Sequence, residues 1–210
     1  MAEELNMQQM ETVDQTKVLI AIHKKTGGDK LAVTGEQFGG YDKRTWAADA
    51  VIIRNEETGV DLLVALTGAA RAFGTGPEDI PASDSRRKNF SSPQMSTLDG
   101  EYRTNYLFGS HEEGISDDCA LCYCRDLGMF LPSGGEMQQV ADHLEDVNAL
   151  LETAGGTPVS GLHWTSTMQS VDYPWHMDVD GNSFGFWLSK TNALNVRPMG
   201  DASAYQEVSE

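Results

Sequence analysis

The stretch Tyr173 to Lys190, YPWHMDVDGNSFGFWLSK, constrains the chain more than any other. Two β-prone runs flank Asp180-Gly181-Asn182, residue types that take the tight turns joining antiparallel strands. Side chains alternate across a strand. That alternation puts Trp175, Met177 and Val179 on one face of the first strand, with His176 and Asp178 on the other. In the second strand Phe184, Phe186 and Leu188 share a face opposite Trp187 and Ser189. One face is expected to fill a core and the other to display His176, Asp178, Trp187 and Ser189. On that outer face Trp187 either takes part in binding or covers a neighbouring loop or subunit.

What precedes the hairpin reads as strands, then helices. Residues 1 to about 16 are polar and glutamine-rich, expected to be either a flexible arm or a segment that becomes ordered only against another subunit. KVLIAIH (17 to 23) and KLAVT flank the turn-prone TGGD and predict an N-terminal hairpin. A second hairpin follows, with strands near 49 to 54 and 60 to 66 and Gly59 in the turn. From 68 to 100 the chain is rich in Gly, Pro, Ser and charge, the signature of a long irregular loop. Ser116 is the expected N-cap of a short helix over 117 to 127, which Gly128 ends. Ser133 stands three residues before Glu136, the spacing of a capping box, so a second helix starts there. Met137, Val140, Ala141, Leu144, Val147 and Leu151 keep one apolar face along it until Gly155-Gly156. NVRPM is the expected last strand. Strands, two helices and more strands make an α+β fold without βαβ alternation or internal repeats.

Charge and cysteine usage exclude several classes of function. With 32 acidic against 15 basic side chains, the net charge of -17 repels phosphate backbones and argues against nucleic acid as a partner. The basic cluster Arg86-Arg87-Lys88 sits in the Ser/Pro/Gly-rich stretch and reads as solvated loop. Neither a secretory signal nor a run of about 18 apolar residues is visible, so the expectation is folding in a cytoplasm without membrane insertion. Three cysteines, Cys119, Cys122 and Cys124, fall within one hexapeptide and do not form a secreted disulfide framework. As C-x-x-C-x-C they could hold a metal, but no second cysteine pair exists and one helix cannot aim all three at a point, which favours helix packing. DVDGN at 178 to 182 carries alternating oxygen ligands, yet its glycine is fourth and Ser189 takes the twelfth position, so it reads as a hairpin turn instead of a calcium loop. The five histidines are scattered, and no nucleophile elbow or phosphate loop is present. No catalytic residues, cofactor or metal site are expected.

CYCRDLGMFLPSGGEM, followed by HWTSTMQSVDYPWHMDVDGNSFGFWLSKTNALNVRPM, resembles the formylglycine-generating-enzyme-like branch of the C-type lectin fold. That branch includes variable proteins of diversity-generating retroelements and phage tropism determinants. The resemblance rests on Leu131, Pro132 and Ser133, on Trp164, Ser166 and Thr167, on Trp175 and Gly181, and on Val196, Arg197 and Pro198. Upstream, DAVIIRNEETGVDLLVAL is similar to the family's early hairpin and LDGEYRTNYL to its Asp-Gly-x-x-x-Thr element. Met168, Pro174 and Met199 depart from the family pattern. The likeness covers about 46 to 200. It implies a C-type lectin-like domain there, with two helices packed on antiparallel hairpins, an attachment or oligomerisation module at 1–45 and a tail at 201–210.

The resemblance also bears on activity. Formylglycine-generating enzymes use a late pair of cysteines, and this chain has none after Cys124. The calcium-dependent sugar motifs of true C-type lectins are missing too, so the resemblance implies a metal-free binding protein and no enzyme. Its displayed set would be Gln169, Asp172, Tyr173, His176, Asp178, Phe184, Phe186, Trp187 and Ser189, with Arg197 holding backbone carbonyls. Tyr and Trp give large contact area at low entropy cost. Without a signal for export, the expected setting is a tailed-phage virion, as a head or tail fibre or decoration protein, with a homotrimer implied. Partners would be other virion proteins and a host-surface protein or glycan. The alternatives are a purely architectural virion module and, more distantly, a bacterial ligand-binding variable protein.

Overall fold

The computed structural model describes residues 15–74, 98–109, 118–168 and 173–209. β1 (Lys17–Lys24) and β2 (Lys30–Val33) form the N-terminal hairpin the sequence predicts. A short helix, α1 (Gly35–Gly40), is started by Thr34 and Gln37, each satisfying the other's backbone N–H. β3 (Trp46–Asn55) and β4 (Val60–Ala65) form the second hairpin. Its turn is built by the Asn55 side chain, which accepts from the N–H groups of Glu57 and Thr58, and by Gly59 at φ 72°. β5 (Ala69–Ala72) lies within the stretch expected to be irregular; residues 75–97, including Arg86-Arg87-Lys88, lie outside the described residues.

Four helices follow: α2 (Gly100–Gly109), α3 (Ala120–Asp126), α4 (Gly134–Asp142) and α5 (Leu144–Thr153). Ser116 lies outside the described residues, and α3 starts instead at Cys119, whose Sγ accepts from the Cys122 N–H at 3.1 Å. Gly128, at φ 68°, ends the turn after α3 as expected. The capping box of Ser133 and Glu136 starts α4. The single helix expected from 133 onwards breaks at His143, which has φ -119° and ψ 27° and gives no side-chain cap to α5. The apolar face nonetheless continues across the break, because Met137, Val140, Val147 and Leu151 all enter one core.

The chain closes with β6 (Leu162–Met168), β7 (Pro174–Asp178), β8 (Ser183–Gly185), β9 (Ala193–Val196), β10 (Met199–Asp201) and β11 (Gln206–Glu207). Two sheets result, one of order β10-β4-β3-β1-β2-β11 and one of order β5-β9-β6-β7-β8. Most pairs are antiparallel; β11 lies parallel to β2, and β6 bridges β9 in parallel. The fold is thus α+β with two sheets. The boundaries expected at 45 and 200 both fall within the first sheet, whose strand β1 pairs with β3 from Lys17 to Lys24 and whose outer strands come from the last residues. NVRPM, expected as one strand, is two: β9 belongs to the second sheet and β10 to the first, with Arg197 and Pro198 crossing between them.

Alternation along β1 sorts the core. Ile20 and Ile22 face α1 and α5, while Leu19 and Ala21 face the other side, where Ala202 and Tyr205 cover them. Val51, Ile53, Leu62 and Val64 meet α4 and α5 on the inner side, together with Met177 and Val179 of the second sheet. The opposite side of that second sheet packs Trp164, Met168 and Val196 against α3, Phe73 and Leu131. Among the described residues no helix is long and apolar enough to cross a membrane, a statement that leaves β-barrels aside.

Candidate functional site

The β7–β8 hairpin is anchored by β6, every described residue of which from His163 to Met168 is buried. β6 is held in turn by side chains of the motif regions. Thr167 Oγ1 accepts from the Gly134 N–H at 2.9 Å, and Thr165 Oγ1 donates to the Trp175 carbonyl at 2.9 Å. The Trp164 indole N–H reaches the Arg71 carbonyl at 3.1 Å. Upstream, Thr104 Oγ1 accepts from the Leu131 N–H at 3.0 Å, and Glu136 accepts from Gly100 and Ser133. A Cβ at Gly100 would fall onto Glu136 Oε2. These contacts explain why a Gly and a Thr stand four residues apart before the Leu-Pro-Ser step.

Arg197 holds the crossing point of the two sheets. Its guanidinium donates to the carbonyls of Ala65 (2.9 Å), Thr157 (2.9 Å) and Pro158 (3.0 Å), the role the resemblance implies. Burial lowers it to about 10. His163 is nearby, also buried, and burial with the neighbouring Arg197 lowers it to about 4. Both line a cavity of about 190 Å³ between β5, β6 and β9. Cys119, Cys122 and Cys124 are all buried in the α3 core as free thiols, with burial pushing Cys119 up to about 12. Among the described residues no three His, Cys, Asp or Glu side chains converge as a metal site.

The hairpin differs from the simple two-faced ribbon that alternation predicts. Both faces of β7 are buried: Met177 and Val179 enter the core of α4 and α5, with Trp175 on the same side, and His176 on the other side lies against Trp164 of β6. The expectation that His176 is displayed is therefore corrected, because Trp164 packs beneath its ring (centroids 5.9 Å apart) and Trp187 roofs it (5.0 Å). Asp178 is half-buried at the turn, where Oδ1 accepts from the Gly181 N–H. Asn182, at φ 44°, takes the left-handed position in that turn. Phe184 is half-buried against Trp175 (6.5 Å). Ser189 is exposed, with its hydroxyl engaged by Thr191. Gln169 and Asp172 lie outside the described residues.

Three of the predicted residues reach solvent together at one end of the hairpin. Tyr173 is 43% exposed, Phe186 42% and Trp187 67%. Antiparallel pairing of His176 with Gly185 sets the start of β7 beside the residues just past β8. Phe186 lies against Trp175 (4.8 Å) and Trp187 against His176, so the exposed rings straddle the ribbon instead of forming one flat patch. Sequence reasoning missed two members of this arrangement. Gly185 is one: a Cβ there would lie 2.5 Å from His176 Nε2 and 2.5 Å from Trp187 Cη2. A lone glycine between two phenylalanines in a strand signals such close approach. Trp164, the inner wall, is the other, and only its place in a motif marks it.

The roof over His176 is thermodynamically shallow. Neither ring nitrogen has a hydrogen-bond partner among the described residues, although both are buried. An unpaired buried polar group costs about 1–3 kcal/mol. Trp187 buries only about a third of a side chain whose full burial covers ~150–250 Å², which stabilises the closed arrangement by about 2 kcal/mol. The edge-to-face contact adds ~1 kcal/mol. Burial holds the imidazole below its ordinary value, against the pull of the Asp178 carboxylate. The ring is therefore neutral near pH 7, with one donor and one acceptor.

Fold and site together define an α+β, two-sheet module with an aromatic hairpin at its edge. No protein-family model matches the chain, and a comparison with curated proteins gives no match. Among solved structures it is similar to a fimbrial protein from Bacteroides ovatus ATCC 8483, with a TM-score of 0.50 and 14% identity. The similarity covers 68% of this chain and 36% of that one, so the chain spans about a third of the length of the protein it resembles. At that identity the likeness concerns the fold alone.

Proposed function

We propose that the chain is a non-enzymatic binding protein of C-type lectin-like architecture. On this reading it is carried on a tailed-phage virion as a fibre or decoration subunit, and it presents the β7–β8 hairpin to a host or mucosal surface ligand. The observation that carries the proposal is the exposure of Tyr173, Phe186 and Trp187 on a ribbon whose inner residues are fully packed. Among the described residues the other exposed large apolar side chains are Leu98 and Leu127, each a single side chain outside the hairpin sequence. Rigid aromatic anchors on a fixed scaffold suit recognition, because little entropy is lost on binding. The lectin-like assignment draws support from the residues of the resemblance, since Ser133, Thr167 and Arg197 all tie loops to strands around the hairpin.

The test is adhesion of the purified chain to host cells and mucosal surfaces, comparing wild type with Trp187→Ala. Wild type is expected to bind and Trp187→Ala to lose at least tenfold in affinity, with unchanged melting by circular dichroism to within a few degrees. Equal binding by the two proteins sinks the proposal. The architectural reading, in which the hairpin packs against another appendage or virion subunit, is favoured by the similarity to a fimbrial protein. It requires Trp187 to be occluded in the assembled particle, so surface labelling of intact particles separates the two. A trimer is expected by light scattering on either reading.

A further inference from the structure

We propose that His176 is the polar floor, and Trp187 the hinged cover, of a subsite for a neutral sugar. The inference rests on the hairpin being a binding surface and names what that surface takes. Four observations meet at one place. His176 is 1% exposed, yet neither ring nitrogen has a partner among the described residues. Its cover, Trp187, is the most exposed large apolar side chain described, at 67%. Gly185, directly across from His176, lets the two rings close onto its backbone, since a Cβ there would fall 2.5 Å from each. Trp164 closes the bottom, its indole N–H already committed to Arg71.

A buried imidazole with a free donor and a free acceptor is a site waiting for a group that offers both. A hydroxyl does so, while an apolar ligand would leave the nitrogens unpaired and an anion would meet Asp178 and a chain of net charge -17. Rotation of Trp187 outward vacates the space above Gly185 and uncovers the imidazole, and the indole face, electron-rich at its centre, can then lie against the C–H face of a pyranose. Phe186 on the opposite side of the ribbon stays against Trp175 and does not obstruct the movement. Hydroxyl to His176 and ring face to Trp187 together select a polyol with an apolar side, which is the chemistry of a neutral hexose.

The experiment is a glycan array followed by titration of hits, using the full chain as wild type, Trp187→Ala, His176→Leu and His176→Gln. Leu takes the place of the imidazole without polar atoms, whereas Gln restores a donor and an acceptor. Wild type is expected to retain neutral glycans, His176→Leu to lose at least tenfold, and His176→Gln to stay within about threefold, each with cooperative melting. Should the histidine variants fail to fold, the ring-proton signal of His176 in the wild type must move when a hit glycan is added; an unmoved signal overturns the proposal. Wild-type affinity in His176→Leu also overturns it, while a loss confined to Trp187→Ala leaves the binding surface itself standing. Retention of no glycan by the wild type overturns the sugar assignment, and the cell-adhesion comparison of Trp187→Ala then judges the surface reading separately.

Discussion

Single residues in the hairpin hold positions that their chemistry alone would not suggest. Gly185 has no need of an unusual backbone angle; its function is to be absent as a side chain, since His176 and Trp187 occupy the space a methyl group would take. Gly185→Ala must push both rings aside. Overpacking of this kind costs about 1–3 kcal/mol, and the variant should melt several degrees lower with a shifted tryptophan emission. Gly39→Ala in α1, where a Cβ meets nothing within 4 Å, is the matched control and should be neutral or slightly stabilising. Arg197 makes the opposite case, because its guanidinium spans three carbonyls from two chain segments. Arg197→Lys keeps the charge but cannot reach all three, and a loss of about 2–4 kcal/mol in denaturant unfolding is expected.

At the scale of elements, local chemistry was legible and neighbours were not. Hairpin turns at Gly59 and the Asp180 loop, the Ser133–Glu136 cap and the exit at Gly128 follow from residues within a few positions of one another. The break at His143 does not, because the apolar face runs through it unchanged and only the docking of α4 and α5 on different strands separates them. Nor could alternation reveal that β7 is covered on both faces, since the second cover comes from Trp164 of β6 and from Trp187, the residue expected to share the outer face with His176. The same reason hid the fate of the last residues. Ala202 and Tyr205 lie over Leu19, Ala21, Ala50 and Ile52, Arg54 donates to both of their carbonyls, and the Tyr205 hydroxyl donates to Asp49 at 2.7 Å. Asp49 also pairs with His23 Nδ1 at 2.7 Å. A chain ending at Asp201 should therefore lose about 3–5 kcal/mol and bind a hydrophobic dye, whereas Glu207→Gln, which removes only an exposed ion pair with Lys17, should leave the denaturation midpoint unchanged.

For the whole molecule the two sheets and the cap between them carry opposing titrations. His163 is lowered from 6.5 to about 4 by burial beside Arg197. Its neutral form is the folded form, so the stability it permits is complete above pH 6.5 and is lost as pH falls toward 4, by about 3 kcal/mol in all. His176 is lowered too and acts in the same direction. Glu136 is raised from 4.5 to about 7 by burial, with the N–H groups of Ser133 and Gly100 opposing the shift. Its protonated form is favoured on folding, so that contribution is complete below pH 4.5 and is lost as pH rises through 7, again by about 3 kcal/mol. Between pH 4.5 and 6.5 the His163 and Glu136 slopes nearly cancel, and the wild type should show only the shallow rise that His176 leaves. Glu136→Gln removes the falling limb and should make stability climb from pH 4.5 to 6.5, starting from a protein weakened by about 1 kcal/mol because one amide oxygen replaces the two that accept from Gly100 and Ser133. His163→Gln should do the reverse and decline from pH 4.5 to 7. Denaturant unfolding of the three proteins at half-unit pH steps gives the slopes directly, and parallel profiles in all three would mean that neither buried group sets the acid behaviour of the fold.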